Sequence, residues 1–179
     1  MGWYHAKQIL DGDVPSATLT DIVEPWFLGG GKDGPGGAEF AAFKKEHEGK
    51  VRFHASIADM PKPEGNMMAM VCTRTADMPG YVDELVDHGV SHVFLEKPGA
   101  PTVEELGRMK DDCAAKGATI WMVRAAAWQW TLTRSPRWRL HETASVPRRA
   151  STRTLLLMLR KAGRLSRKFL EGISRWSTT

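Results

Sequence analysis

Apolar residues fall into short runs separated by helical spacings as far as Met122, and there the rhythm stops. Ala17 to Val23 (ATLTDIV) is a compact β-branched run that predicts a strand. Glu24-Pro25 ends it, because proline cannot extend a ladder. Met67 to Cys72 (MMAMVC) is apolar at every position, the pattern of a strand buried on both faces. His92 to Leu95 (HVFL) and Thr119 to Met122 (TIWM) read as further strands, and Val51 to Phe53 as a weaker one.

Helical spacings fill the intervals. Gly2 to Leu10 opens with Ile9 and Leu10 toward a core, and Gly12, Asp13 and Pro15 end it. A Gly-rich loop, Gly29 to Gly37, leads into a short helix with Phe40 and Phe43 on one face. Pro79 to His88 turns Val82, Leu85 and Val86 inward and is capped by Gly89. Thr102-Val103-Glu104-Glu105 forms a capping box, and Gly117 closes the helix that it opens. Strands alternating with helices of this length predict an α/β fold, a doubly wound parallel sheet.

Charge sharpens the break at Met122. Residues 1–122 carry 12 Lys and Arg against 19 Asp and Glu, whereas residues 123–179 carry 13 against 2. The expected organisation is therefore a single α/β domain over 1–122. Residues 123–179 then form an irregular basic Arg/Ser/Trp-rich segment with no folded domain of its own. Thr152 to Leu165, around Leu155-Leu156-Leu157-Met158-Leu159, has the composition of a basic amphipathic helix. The swing in composition is also what an out-of-frame translation of a GC-rich gene produces.

Two cysteines, Cys72 and Cys113, sit in apolar elements, which points to a reducing, cytoplasmic setting rather than a disulfide scaffold. No apolar stretch approaches the roughly 20 residues of a membrane span. The six histidines and two cysteines show no metal-ligand spacing and read as single surface or strand residues.

Candidate chemistry begins at Gly2, which opens a helix and precedes a strand ending in an acid. Glu24 follows Gly2 by about the 20 residues that a dinucleotide site leaves before its ribose-binding carboxylate. One glycine is a weak signal, and an ordinary helix followed by an acidic turn explains it as well. The stronger signal is Phe94-Leu95-Glu96-Lys97-Pro98-Gly99-Ala100-Pro101-Thr102, a strand end that opens a capped helix.

In this stretch the chain resembles the glucose–fructose oxidoreductase, inositol dehydrogenase and rhizopine-catabolism (Gfo/Idh/MocA) family, whose members carry Glu-Lys-Pro in this position. Met67 to Met122 follows that layout element by element. Gly2 to Glu24 is similar to the family's cofactor-binding opening from its second glycine onward. The resemblance implies that Lys97 is catalytic, reaching the substrate hydroxyl and helping to move its proton. It implies cofactor contacts from Gly2, Trp3, Tyr4, Glu24, Thr73, Glu96 and Pro98, with Pro98 often preceded by a cis bond. NAD is the expected cofactor over NADP, because the Glu24 carboxylate repels a 2′-phosphate and Pro25, Trp26 and Phe27 offer no compensating cation.

The chain also departs from the family pattern. The family's first strand and first glycine would precede Gly2, and Met1 stands in place of the motif's middle residue. Met78 occupies a position where many relatives have a histidine near the nucleotide. The antiparallel sheet that relatives use for substrate and oligomer contacts has no counterpart beyond Val123.

The expected function is thus nicotinamide-dependent oxidation of a sugar, polyol or related hydroxyl compound, with this 179-residue chain inactive. The alternative is a non-catalytic nucleotide-binding remnant whose basic tail contacts nucleic acid or another anionic partner, although no nucleic-acid motif supports it. Without its first strand, the sheet is expected to fall into two halves with open inner edges and to fold poorly. Leu155 to Leu159 is the one run apolar enough to fill that gap, and its basic flanks weigh against it.

Overall fold

A computed structural model describes residues 2–65, 67–122 and 155–161, and in the last segment only the side chain of Met158. The elements are α1 (Gly2–Leu10), β1 (Ala17–Val23), α2 (Gly37–His47), β2 (Arg52–His54) and β3 (Met67–Cys72). There follow α3 (Met78–Asp87), β4 (His92–Leu95), α4 (Val103–Ala115), β5 (Thr119–Met122) and β6 (Leu155–Lys161). They build one six-stranded sheet in the order β2-β1-β6-β3-β4-β5.

The β1–β2, β3–β4 and β4–β5 pairs are parallel, as expected for a doubly wound fold. Apart from β6, the order is that of a dinucleotide-binding sheet, 3-2-1-4-5-6, with the place of strand 1 vacated by the parallel set. β6 fills that place and runs antiparallel to both neighbours. Two expectations are corrected here. The Leu155 run is a strand and no helix, and the sheet is not split.

The physical reason lies in the open edges. β1 and β3 would otherwise face each other's gap with unpaired N–H and C=O groups, each costly to bury. A seven-residue segment with five consecutive apolar residues that satisfies both ladders at once gains more as a strand than as an isolated helix.

Alternation along β3 explains why all six of its residues are buried. Met67, Ala69 and Val71 meet Met78, Val82, Leu85, Met109 and Cys113 of α3 and α4 on one face. Met68, Met70 and Cys72 meet Ala6 and Ile9 of α1 and Phe43 of α2 on the other. Register against β6 shifts between Leu19 and Asp21. This irregularity lets Leu19 and Ile22, an odd number apart, join the same cluster. Thr102 caps α4 by accepting the Glu105 N–H at 3.1 Å.

Candidate functional site

In an open α/β sheet the ligand crevice lies outside the carboxyl ends of the strands, where the strand order reverses. Here that edge gathers Glu24 after β1, Thr73 after β3, and Glu96-Lys97-Pro98 after β4. The amino end of β6 reaches the same edge, with Leu155 registered against Cys72 and Leu156 against Val23 and Val71. The carboxyl end of β6 lies at the far edge, Lys161 opposite Ala17. The strand beside α1 therefore does not feed into α1, unlike the strand–glycine loop–helix unit of a standard dinucleotide site.

A buried contact at the edge joins residues 91 apart in sequence. His5 Nε2 lies 2.8 Å from Glu96 Oε1, with both side chains almost fully buried. The other Glu96 oxygen accepts the Lys97 backbone N–H at 3.3 Å. Burial pushes the Glu96 carboxyl up, but the His5 hydrogen bond and field, the Lys97 N–H and the Lys97 ammonium outweigh it. The net position is below the usual carboxylate range. Cys72 lies nearby, and burial first, then the Glu96 charge, pushes its thiol up.

Lys97 itself is exposed, and its peptide bond to Pro98 is cis. Gly99 follows with φ +87°, and a Cβ there would stand 2.7 Å from Met122 Sδ. The left-handed backbone is what calls for glycine here, since the exposed Met122 side chain could move aside.

Gly2 is buried at the start of α1, whose first turn holds no acidic residue. Trp3 turns its ring onto Phe43, 4.6 Å between centroids, so its side chain serves the core. Tyr4 is exposed. What Gly2, Trp3 and Tyr4 offer at the edge is the helix's first N–H groups and its positive dipole end.

Glu24 is 2% exposed. Its Oε1 accepts the backbone N–H groups of Trp26 at 3.0 Å and Phe27 at 3.3 Å, so the carboxylate also closes the turn after β1. Thr73 is half-buried, and its hydroxyl donates to the Arg74 carbonyl at 3.2 Å. Between these turns lies an open groove of about 710 Å³ lined by Pro25, Trp26, Arg74, Asp77, Tyr81 and Glu84. Gly31 sits directly against the Trp26 indole, where a side chain would collide. Met78 is buried in the core and takes no part in the edge.

Sequence reasoning missed three contributors. In sequence His5 reads as one of several single histidines, yet it shares the buried stripe of α1 with Ala6 and Ile9. Arg74, held by Asp77 at 2.7 Å, borders the groove but had only a local turn context in sequence. Asp21 is a buried carboxylate inside β1 that accepts Arg52 Nε at 2.8 Å and Nη2 at 3.0 Å. Its Oδ1 also pairs with His54 Nε2 at 2.8 Å. Burial raises its carboxyl, and Arg52, His54 and Thr20 together bring it below the ordinary value. This second cluster is structural, locking the edge strand β2 to β1. Among the described residues no group of His, Cys, Asp and Glu could hold a metal ion.

A reversing parallel sheet, a helix amino end and a lysine-bearing turn on one carboxyl edge define the class of dinucleotide-binding domains. Residues 35–124, half the chain, match the oxidoreductase family with an NAD-binding Rossmann fold (Gfo/Idh/MocA), and the chain belongs to that family. The matched span runs from the loop before α2 through β5 and contains Thr73, Glu96, Lys97 and Pro98. Neither curated proteins nor solved structures provide a match. The family fixes a nicotinamide dinucleotide as the cofactor class. No helix among the described residues is long and apolar enough to cross a membrane.

Proposed function

We propose that this chain carries the nucleotide-binding half of an oxidoreductase acting on a sugar, polyol or related hydroxyl compound, with NAD preferred to NADP. One observation carries the reading: the Lys97 turn and the first turn of α1 meet at the carboxyl edge across the buried His5–Glu96 bond. The domain of this reading is residues 1–122 with β6 borrowed into its sheet.

The residues present suit a dinucleotide. The acid-free amino end of α1 gives donors for phosphate oxygens through Gly2, Trp3 and Tyr4. The groove between the Trp26 and Arg74 turns has the size and mixed lining for a nucleoside. Glu24 takes the ribose hydroxyls. A carboxylate has acceptor sites for about four donors, so it can share its oxygens with the Trp26 and Phe27 amides. Thr73, Glu96 and Pro98 form the floor toward the reacting end. A bound nicotinamide supplies the hydride acceptor.

Lys97 meets the reacting oxygen. Its ammonium stabilises negative charge as the hydroxyl proton leaves, a contribution of roughly 10²–10⁴-fold for a well-placed group. Since Lys97 is exposed and no described element covers it, water is not excluded and the 179-residue chain is expected to bind without turnover.

Fluorescence titration of the full chain with NADH tests the reading. Saturable binding with a dissociation constant in the micromolar-to-millimolar range is expected, about −8 to −4 kcal/mol. No binding at concentrations of about 10 mM would reject it.

A further inference from the structure

We infer that His5 is a positioning residue for Lys97: through Glu96 it ties the helix that faces the cofactor to the turn that carries the lysine. The inference rests on the reading above for the role of Lys97, but its structural core stands without cofactor.

Glu96 is a two-handed clamp. One oxygen takes His5 Nε2 from α1, and the other takes the backbone N–H of Lys97. Pro98, whose ring restricts its own φ, follows the lysine. Lys97 is thus held before and after, while its own side chain stays exposed. A buried charge-assisted bond of 2.8 Å is short and strong, and the low local dielectric enhances it. Surface ion pairs elsewhere, such as Lys44–Glu48, lack that burial and carry little. Among the described residues, the charged or titratable groups facing Glu96 are His5 from α1, Lys97 from its own turn and Cys72 from β3. Among these, His5 is the one whose side chain bonds to Glu96.

The consequence is mechanical. A displacement of the first turn of α1, where phosphate oxygens would dock, passes to the Lys97 backbone through two hydrogen bonds. Cofactor seating and lysine alignment are then one event.

The full-length chain, ¹⁵N-labelled, tests this with three variants. His5→Leu removes the donor at similar volume, His5→Gln keeps a donor of similar reach, and His5→Asn keeps a donor that falls short. The readout is the Lys97 backbone amide, which follows the Glu96 carboxylate through their hydrogen bond. In an acid titration without ligand, His5→Leu and His5→Asn should move the Lys97 amide midpoint upward by about one pH unit, while His5→Gln, which keeps the bond but not the charge, moves it by less than half as much. NAD is then added at about 5 mM. It should shift the Lys97 amide in wild type and His5→Gln, and by less than half as much in the other two.

A purely structural His5 would lower the melting temperature in all three variants yet leave the Lys97 midpoint unmoved, and that result overturns the inference. Should His5→Leu fail to fold, the His5→Asn and His5→Gln comparison decides. If NAD shifts nothing in wild type, the cofactor reading fails. The ligand-free titration still decides the role of His5.

Discussion

Met158 is registered against Ala69 in the middle of the sheet, and neither side chain reaches solvent. The pairing is antiparallel, as is that of β6 with β1, inside a fold whose remaining strand pairs are parallel. It joins the β1–β2 half to the β3–β4–β5 half, which have no direct strand pairing with each other. A segment from the basic part of the chain thus completes the nucleotide-binding sheet.

That dependence is measurable at Met158, which is 1% exposed. Met158→Asp would bury an unpaired carboxylate between two strands and should cost more than about 4 kcal/mol. Met158→Leu conserves volume and should cost less than about 1.5 kcal/mol. Urea unfolding of both variants distinguishes the two. Residues 1–122 alone should show no cooperative transition, because the inner edges of β1 and β3 then stay open.

Acid should loosen the β1–β2 edge. Asp21 sits below its ordinary value in the folded chain, so its contribution is fully present above the unfolded value. That contribution is lost as pH falls from about 4 through the lower folded value. Glu96 acts in the same direction. Asp21→Asn should lower stability at neutral pH and flatten the acid limb. An unchanged limb would show that the Arg52 and His54 contacts contribute nothing.

Charge at Glu24 should set cofactor choice. Glu24→Lys should weaken NAD relative to NADP by about tenfold, or 1.4 kcal/mol. Because the carboxylate also holds the Trp26 and Phe27 amides, Glu24→Gln serves as the control that preserves an acceptor. Equal responses of NAD and NADP to Glu24→Lys contradict the ribose assignment.

Lys97 should be dispensable for folding. It is exposed, so Lys97→Ala should change stability by no more than about 0.5 kcal/mol. No polyol- or sugar-dependent NAD reduction is expected from the 179-residue chain. Turnover above the Lys97→Ala control would show that the exposed lysine suffices.

Most of the sheet was legible: β3, buried on two faces, is an unbroken apolar run, and β1, β4 and β5 are short β-branched or aromatic runs bounded by turn residues. Ala17–Val23, Met67–Cys72, His92–Leu95 and Thr119–Met122 all appear at their expected bounds. β2 is displaced by one residue, to Arg52–His54, since a three-residue edge strand with half-exposed side chains has almost no pattern. The Leu155 run misled because a short leucine-rich stretch fits either period. Two open ladders, invisible in local sequence, decide for the strand. At the site, Glu-Lys-Pro was readable as a local motif. His5 was not, because its partner lies 91 residues away and only the topology brings α1 against the end of β4.

Amide chemical-shift mapping of the ¹⁵N-labelled full chain during NAD titration tests the account most directly. Shifts should cluster along the carboxyl edge, at residues 2–5, 24–27, 73–81 and 96–99, and spare the Asp21–Arg52–His54 cluster. Saturable shifts centred anywhere else, or none at millimolar NAD, would contradict the assignment of this edge as the dinucleotide site.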